Sequence, residues 1–317
     1  MRLLLITHSF FLCPLGLPAS TTVEQEKKEK NLLFLCVSRT HSDTLLLSSY
    51  LRIFVSLSAL LRAFVVRKVR KARGMPETLL EALVTGQKQS GNSLSLGRWG
   101  APTGTIDWCE ANYVSTSLVA ELHNTWSNVF YVIVGTAALV AVRRQRLPVQ
   151  FAACGTFIVF TGIFSALFHA TLQLFMQRLD EIFENGILIA MLHSDRGQHA
   201  MLATMLHFFL CAGLILAIRQ FLFCELHLVG IILLVLAKFG RLSCKQPAVV
   251  PLVRTSALLT VAGFSAWLLD RLFCDSLQNL NLHAFWHFFT ALALWWGFQA
   301  VALVHIATSN RRSSKCK

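Results

Sequence analysis

Charged side chains are scarce in this sequence. Only 14% of its 317 residues are Asp, Glu, Lys or Arg, whereas soluble domains carry about 25%. The mean hydropathy is +0.57, and several apolar runs reach the roughly 20 residues that a helix needs to cross a bilayer. These features exclude an ordinary soluble domain and predict an all-α polytopic membrane protein.

Cys-x-x-Cys pairs are absent, and the nine cysteines are scattered along the chain. A zinc site built from thiolates is therefore not expected, and the odd number leaves at least one cysteine outside any intrachain disulfide. Cys154 and Cys211 lie within apolar runs and are predicted to be small core residues.

A motif of interleaved aromatic and basic residues, typical of proteins that bind RNA or DNA, is also missing, although the formal charge is +13. The basic residues instead cluster between or after apolar runs, at Arg143, Arg144 and Arg146, at Lys238, Arg241 and Lys245, and at Arg311, Arg312, Lys315 and Lys317. Cytoplasmic loops of membrane proteins have this distribution. The lipid bilayer is therefore a predicted partner and nucleic acid is not.

Seven apolar segments after residue 120 are predicted to be membrane-spanning helices. Their approximate ranges are 124–142, 149–173, 180–194, 200–218, 221–239, 250–272 and 282–306. Because the basic clusters follow the first, fifth and seventh spans, the C-terminus is predicted in the cytosol and Asp107 on the lumenal side. The predicted parts are an N-terminal extension (1–99), a seven-span domain (100–310) and a basic cytosolic tail (311–317).

The N-terminal extension conflicts with this topology if its apolar segment crosses the membrane. Residues 1–20 have the pattern of a signal peptide. A span over the apolar segment 44–66 would place Arg52 and Arg62 in hydrocarbon, at about 2.5–3.5 kcal/mol each, and would fix the basic segment 67–73 on the wrong side. Two explanations stay open: segment 44–66 is an interfacial amphipathic helix, or translation starts at Met75. A mature N-terminus at or after Ser20 but before Met75 would contradict the second.

Histidines in the apolar segments indicate a metal site. His283 and His287, in N-L-H-A-F-W-H-F-F, are four residues apart and share one helix face. Ser165 and His169, in F-S-A-L-F-H, repeat this spacing at the end of the second span, and Asp180 begins the third. Ionisable groups at this depth are costly and usually functional, although unrelated polar residues at helix ends are the alternative. Three imidazoles with one open position are typical of catalytic Zn²⁺.

Oxygen-bearing side chains gather just before the first span. Asp107, Glu110, Asn112 and Glu121 offer the hard oxygen ligands that suit Ca²⁺, although their spacing is not that of an EF-hand. The alternative is a solvated acidic loop before a membrane helix.

Five sequence blocks carry a family resemblance over about residues 100–306. They are I-D-W-C-E-A-N-Y (106–113), A-E-L-H-N-T-W-S-N (120–128), F-S-A-L-F-H-A-T-L (164–172), L-D-E (179–181) and H-A-F-W-H (283–287). In these blocks the chain resembles the alkaline ceramidases, seven-span membrane amidases. The segment I-F-E-N-G after Glu181 departs from the family, which often has a proline there.

The resemblance implies hydrolysis of ceramide to a sphingoid base and a fatty acid. It implies Zn²⁺ at His169, His283 and His287, and Ca²⁺ at Asp107, Trp108 (through its carbonyl), Glu110, Asn112 and Glu121. Ser165 and Asp180 are the implied catalytic residues: Asp180 as proton carrier, and Ser165 either as donor to the oxyanion or as orienter of Asp180.

Further expectations concern the membrane in which the protein resides. We expect a multi-pass protein of the endoplasmic reticulum or Golgi, with no obligate protein partner. Cys109 and Cys274 both fall on the predicted lumenal side, which is oxidising, and we predict a disulfide between them. Phe285, Trp286, Phe288 and Phe289 are predicted to wall a lipid pocket.

Receptors and transporters are two alternative classes of membrane protein. Receptors of the progestin and adiponectin type share seven spans and a similar Ser/His/Asp/His-x-x-x-His constellation, but they lack the D-W-C-E-A-N block and have the opposite orientation. A transporter would show two matching halves with interrupted spans, and the sequence shows no internal repeat.

Overall fold

The computed structural model of the chain describes residues 97–194, 197–217 and 221–315. The signal-like segment, the amphipathic segment, the basic segment 67–73 and Met75 lie outside the described residues.

Helices make up nearly all of the regular structure in the described residues. They are α1 (Leu122–Ser127), α2 (Val129–Gln145), α3 (Val149–Thr171), α4 (Leu174–His193), α5 (Ala200–Ala217), α6 (Phe221–Lys245), α7 (Val250–Leu272), α8 (Cys274–Leu277) and α9 (Leu282–Lys315). Two isolated β-bridges, Gly97–Gly100 and Thr116–Val119, are the β-structure of this part of the chain. The predicted all-α class is confirmed.

Six segments of the described chain are long and apolar enough to cross a membrane. They are Leu122–Gln145, Val149–Thr171, Ala200–Ala217, His227–Lys245, Pro247–Leu272 and Leu282–Ser309. These six give the protein a multi-pass membrane architecture. The predicted third span corresponds to α4, which is long enough but carries Arg178, Asp180, Glu181 and Glu184. The seventh span therefore stays a prediction.

Helix α4 begins at Leu174, six residues before the predicted start at position 180. Its polar first turns are stabilised inside the protein, because Gln177 Nε2 donates to Glu181 Oε1 (2.7 Å) and the Arg178 guanidinium pairs with the other Glu181 oxygen. Thr105, in the loop before α1, exchanges two further hydrogen bonds with Gln177, both 2.7 Å long. These contacts fix the rotation of α4 and thereby the position of Asp180.

Helices α2 and α3 pack closely through glycines. A Cβ atom on Gly135 would lie 2.7 Å from the backbone nitrogen of Val159 and 2.9 Å from the carbonyl oxygen of Gly155, so no larger residue fits there. Small residues allow membrane helices to approach in this way. The contact holds α3, which carries His169, against α2, which carries Tyr131.

Lys238 is buried in α6 rather than exposed in a cytosolic loop with Arg241 and Lys245. Its ammonium group donates to the carbonyl oxygens of Met191 (2.9 Å) and Leu192 (3.0 Å) and to Ser194 Oγ (3.0 Å). Carbonyls in the last turn of a helix have no intrahelical partner, so the lysine caps α4. The basic cluster of the sequence thus includes one residue that fastens α4 to α6.

We expect Lys238→Met to lower the free energy of unfolding by about 2 kcal/mol, because hydrogen bonds to a charged group contribute about 1.5–3 kcal/mol and the last turn of α4 would lose its ammonium donor. Thermal unfolding of purified protein in detergent measures the effect. The matched control is Arg241→Met, which removes an exposed cation one turn away in α6. Equal destabilisation by both substitutions would contradict the capping role.

Candidate metal centre

Three buried histidines meet at one point of the helix bundle. His169 lies in the last turn of α3, and His283 and His287 lie one turn apart at the start of α9. None is more than 3% exposed, and their ligand nitrogens lie within 4.8 Å of one another. Among the described residues this is the only group of three or more His, Cys, Asp or Glu side chains spaced to hold a metal ion. The structure therefore brings together the three histidines that the sequence singled out.

Hydrogen bonds at Nδ1 set the tautomers of two of these rings. His169 Nδ1 lies 2.5 Å from Glu121 Oε2, and an ionised carboxylate can only accept, so Nδ1 carries the proton. Ser127 donates its single hydroxyl proton to the carbonyl of Asn124 (2.9 Å), so His287 Nδ1, 2.7 Å from Ser127 Oγ, must be the donor there. Both neutral rings therefore keep their lone pair on Nε2, the form in which imidazole binds a metal.

Backbone pairing brings Glu121 to His169. The amide nitrogens of Ala120 and Glu121 donate to the carbonyls of Ala170 and His169, at 3.0 Å each. Helix α3 ends just beyond, where Leu172 adopts a left-handed conformation with φ 54°. The loop before α1 thus runs along the end of α3, and Glu121 points inward with 0% exposure.

Trp108 and Asp270 hold the third histidine. The indole of Trp108 stacks on the imidazole of His283, with ring centroids 3.6 Å apart, and the Arg271 guanidinium lies 5.2 Å from the centroid of the same indole. Asp270 accepts hydrogen bonds from the backbone nitrogens of His283 (3.3 Å) and Cys109 (3.2 Å). The start of α9 is thereby tied both to the end of α7 and to the loop before α1.

The predicted disulfide between Cys109 and Cys274 is present, with the Cα atoms 5.3 Å apart. It links the loop that carries Trp108 to helix α8, next to Asp270 in the chain. Cys154 and Cys211 are buried thiols, as predicted.

A cavity adjoins the three histidines, and we call it the metal-site cavity. Ser165, which lies one turn before His169 on α3, and Asp180 on α4 both line it. Ser165 is 3% exposed. All five residues predicted for metal binding and catalysis therefore surround one cavity, as expected from their predicted common depth.

A second cavity, which we call the apolar cavity, lies further along α4 and α9. Its wall includes Ile187, Leu188, Met191, Val235, Phe239 and Leu294. The two cavities adjoin, because both are lined by Tyr131, Thr161, Glu184, Leu228, Ile232 and Trp286. Of the four aromatic residues predicted to wall a lipid pocket, only Trp286 lines either cavity, and Phe285 is 48% exposed.

The five predicted calcium ligands lie on the loop before α1 and at its junction with that helix. Asn112 Nδ2 donates to Asp107 Oδ1 at 2.9 Å. Glu110 accepts from the backbone nitrogens of His123 (2.7 Å) and Asn124 (2.8 Å) and so caps the start of α1.

Trp108 and Glu121 complete this set and also touch the histidines. The backbone nitrogen of Trp108 donates to Glu121 Oε1 at 3.2 Å. The carboxylates of Asp107, Glu110 and Glu121 do not form a metal-spaced group of the kind that the histidines form. Partial burial, and secondarily the Glu121 carboxylate, raise the pKa of Tyr113 above its usual value.

Sequence reasoning missed the contacts that hold the histidines in place. Ser127, Asp270 and the side chain of Trp108 had no such role assigned to them, and Glu121 was predicted only as a calcium ligand. Ser127 and His287 are 160 positions apart in the chain, so no local pattern could pair them. The available signal was the family block A-E-L-H-N-T-W-S-N, which contains Ser127.

Comparison with known proteins agrees with the family resemblance found in the sequence blocks. The family profile described as Ceramidase matches residues 100–317. Alkaline ceramidase 3 of Mus musculus is 31% identical over 218 residues, which cover 62% of this chain and 82% of that protein. For alkaline ceramidase of Arabidopsis thaliana the identity is 30% over 205 residues, or 60% and 80% of the two chains. Alkaline ceramidase YPC1 of Saccharomyces cerevisiae is 28% identical over 250 residues, with coverages of 66% and 78%.

These relatives favour the ceramidase resemblance over the receptor alternative. The profile match contains every block on which the resemblance was based, together with all three histidines. Because it extends over more than half of the sequence, this chain belongs to the ceramidase family.

Proposed function

We propose that this protein is a membrane hydrolase that cleaves the amide bond of ceramide, and that it uses Zn²⁺ to do so. The reaction adds water to the amide and yields a sphingoid base and a fatty acid. The observation that carries the proposal is the convergence of three buried imidazoles, Ser165 and Asp180 on one cavity. Family membership supports the reaction class.

The chemistry of the donors fits Zn²⁺. His169 and His287 keep their Nε2 lone pairs because Glu121 and Ser127 accept their Nδ1 protons. Together with His283 they make three protein ligands, the number typical of catalytic rather than structural zinc. When bound, Zn²⁺ supplies Lewis acidity to the substrate carbonyl and to the attacking water.

Asp180 and Ser165 have separate roles in the proposed reaction. Asp180 accepts a proton from the attacking water, whose oxygen bonds to the carbonyl carbon. As the carbon–nitrogen bond breaks, Asp180 returns that proton to the leaving nitrogen, so the products are a carboxylic acid and an amine. Ser165 donates a hydrogen bond to the carbonyl oxygen while negative charge accumulates there.

We further propose a lumenal site for this chemistry. With α4 as the seventh span, Asp107 and the histidine ends of α3 and α9 face the lumen of the endoplasmic reticulum or Golgi, and the C-terminus is cytosolic. The Cys109–Cys274 disulfide supports this orientation, because disulfides persist in oxidising compartments. No obligate protein partner is required by this proposal.

Calcium is proposed as a second, structural ion. The donor set is all oxygen, as Ca²⁺ prefers, and would consist of Asp107, the Trp108 carbonyl, Glu110, Asn112 and Glu121. The hydrogen bond between Asp107 and Asn112 supports a common site. Because Glu121 also contacts His169, an ion here would stiffen the support of one histidine.

The test is ceramide hydrolysis by the purified full-length protein, with its metal content measured on the same sample. We expect equimolar sphingoid base and fatty acid, stoichiometric zinc and bound calcium. A receptor would bind lipid without turning it over. Zinc-loaded protein that cleaves no N-acyl sphingoid base would overturn the proposed function.

A further inference from the structure

One helical turn inward from the proposed catalytic residues, four polar side chains form a second layer. We call Thr161, Glu184, Tyr131 and Thr290 the inner polar layer. All four line the apolar cavity, and the first three also line the metal-site cavity. The layer therefore lies where the two cavities meet.

The helices place this layer at a defined distance from the metal site. Thr161 precedes Ser165 by four residues on α3, and Glu184 follows Asp180 by four residues on α4. Residues four apart lie on one helix face, separated by about 5.4 Å along the axis. A lipid whose carbonyl lies between Ser165 and Asp180 therefore meets Thr161 and Glu184 one turn deeper.

Two members of the inner polar layer are hydrogen-bonded to each other. The phenol oxygen of Tyr131 lies 2.6 Å from Thr290 Oγ1, and that hydroxyl in turn donates to the carbonyl of Trp286 at 2.5 Å. Tyr131 is consequently the donor to Thr290, and this pair needs no ligand.

The other two members of the inner polar layer lack a hydrogen-bond partner among the described residues. Thr161 is 2% exposed, and its buried Oγ1 makes no hydrogen bond. In the part of the chain that the structure describes, the Glu184 carboxyl has no hydrogen-bond partner either, although it lies close enough to Asp180 and Tyr131 to interact with them electrostatically. A buried polar group without a partner, such as the Thr161 hydroxyl, costs about 1–3 kcal/mol. The Glu184 carboxyl is only partly buried, but it lines the same two cavities. Together these two groups, where the two cavities meet, point to a polar group on the ligand.

We propose that Thr161 and Glu184 form a subsite for a hydroxyl group on the sphingoid chain, next to the amide that is cleaved. This inference rests on the proposed ceramide hydrolysis and names the part of the substrate that enters the apolar cavity. The substrate hydroxyl donates to the Glu184 carboxyl and accepts from the Thr161 hydroxyl, so both protein groups gain a partner.

The distance and the apolar cavity together select which hydroxyl is bound. An extended chain advances about 3.3–3.6 Å for every three bonds, so one helical turn corresponds to four or five bonds. The paths from the carbonyl carbon through the nitrogen and C2 of the base to the 3-hydroxyl oxygen and to the 1-hydroxyl oxygen both have four bonds, whereas a hydroxyl on the acyl carbon next to the carbonyl is too close. Only the 3-hydroxyl lies on the arm of the base that continues as hydrocarbon, so the apolar cavity favours the 3-hydroxyl. The hydrocarbon beyond C3 then continues past Ile187 and Met191 into the apolar cavity.

The experiment compares an N-acyl sphinganine with its 3-deoxy counterpart, both carrying the same acyl chain. The measured quantity is the ratio of their kcat/KM values. We expect wild-type protein to favour the 3-hydroxy lipid by about 10- to 100-fold, since loss of a hydrogen bond that leaves its buried partner unsatisfied costs about 1–3 kcal/mol. Thr161→Val and Glu184→Leu should each lower the ratio about tenfold, and Thr161→Ser, which keeps the hydroxyl, should retain it.

Thr260→Val is the matched control. Thr260 also lines the apolar cavity, but its hydroxyl already donates to the carbonyl of Ser256 at 2.9 Å, so the ratio should stay at the wild-type value. A wild-type ratio near one, or an equal loss on both lipids in Thr161→Val, would overturn the subsite. If Glu184→Leu does not fold, Thr161→Val decides alone because it removes one hydroxyl without a change of shape. Failure of zinc-loaded wild type to cleave either lipid counts instead against the proposed function.

Discussion

Replacement of His287 by alanine is expected to remove the bound metal and to abolish ceramide hydrolysis. The cluster would keep His169 and His283, and two imidazoles hold a metal ion much more weakly than three. Loss of the Lewis acid removes several kcal/mol of transition-state stabilisation. At about 1.4 kcal/mol for each factor of ten, kcat/KM should fall by at least about 10³-fold.

Zinc content and product formation, measured on the same preparation, test this expectation. Wild-type protein stripped by a chelator should regain activity on addition of Zn²⁺, and the His287→Ala protein should not. The matched control is His199→Ala, which removes an exposed histidine in the turn before α5 and should retain both zinc and activity. Wild-type zinc content or wild-type turnover in His287→Ala would rule out the three-histidine site.

Replacement of Asp180 by asparagine is expected to separate catalysis from metal binding. Asparagine occupies nearly the same volume but cannot carry a proton from water to the leaving nitrogen. A positioned general acid–base group contributes about 10²–10⁴-fold, so kcat should fall by that factor. Because the proposed metal ligands are the three histidines, zinc content should stay at the wild-type level.

Kinetics and metal analysis of Asp180→Asn provide the measurement. Asp275→Asn, at an exposed aspartate in α8, is the matched control and should behave as wild type. If Asp180→Asn loses zinc together with activity, the carboxylate is a metal ligand rather than a proton carrier. Undiminished kcat would remove Asp180 from the mechanism.

The helical bundle could be predicted because apolar runs and charge distribution are local properties of the sequence. Four of the predicted spans, 124–142, 149–173, 200–218 and 250–272, end within three residues of a helix end, whereas α6 and α9 extend further than predicted, to Lys245 and Lys315. The start of α4 was placed least well. Its first turns contain Gln177 and Arg178, which look unfavourable in a membrane helix until their partner Glu181 and the loop residue Thr105 are seen beside them.

The three histidines of the metal site could also be predicted from local sequence patterns. His283 and His287 share a helix face because of their spacing alone, and His169 joins them because the charge pattern places the ends of their helices at one depth. The orientation of the rings was not predictable. It depends on Glu121, Ser127 and Trp108, each of which contacts the ring of a histidine in a distant part of the chain.

The sequence by itself determined the helical membrane class, the ceramidase family and the residues that gather around the metal-site cavity. The spacing of hydrophobic residues, the distribution of charges and the short motifs are local properties of the sequence, so they can be recognised without a structure. Only the tertiary structure decided which nitrogen of His169 and His287 remains for a metal, that Lys238 caps α4, and that Thr161 and Glu184 are left unsatisfied between two cavities. These facts depend on which groups from distant parts of the chain lie beside each other, and that is decided only once the helices have packed.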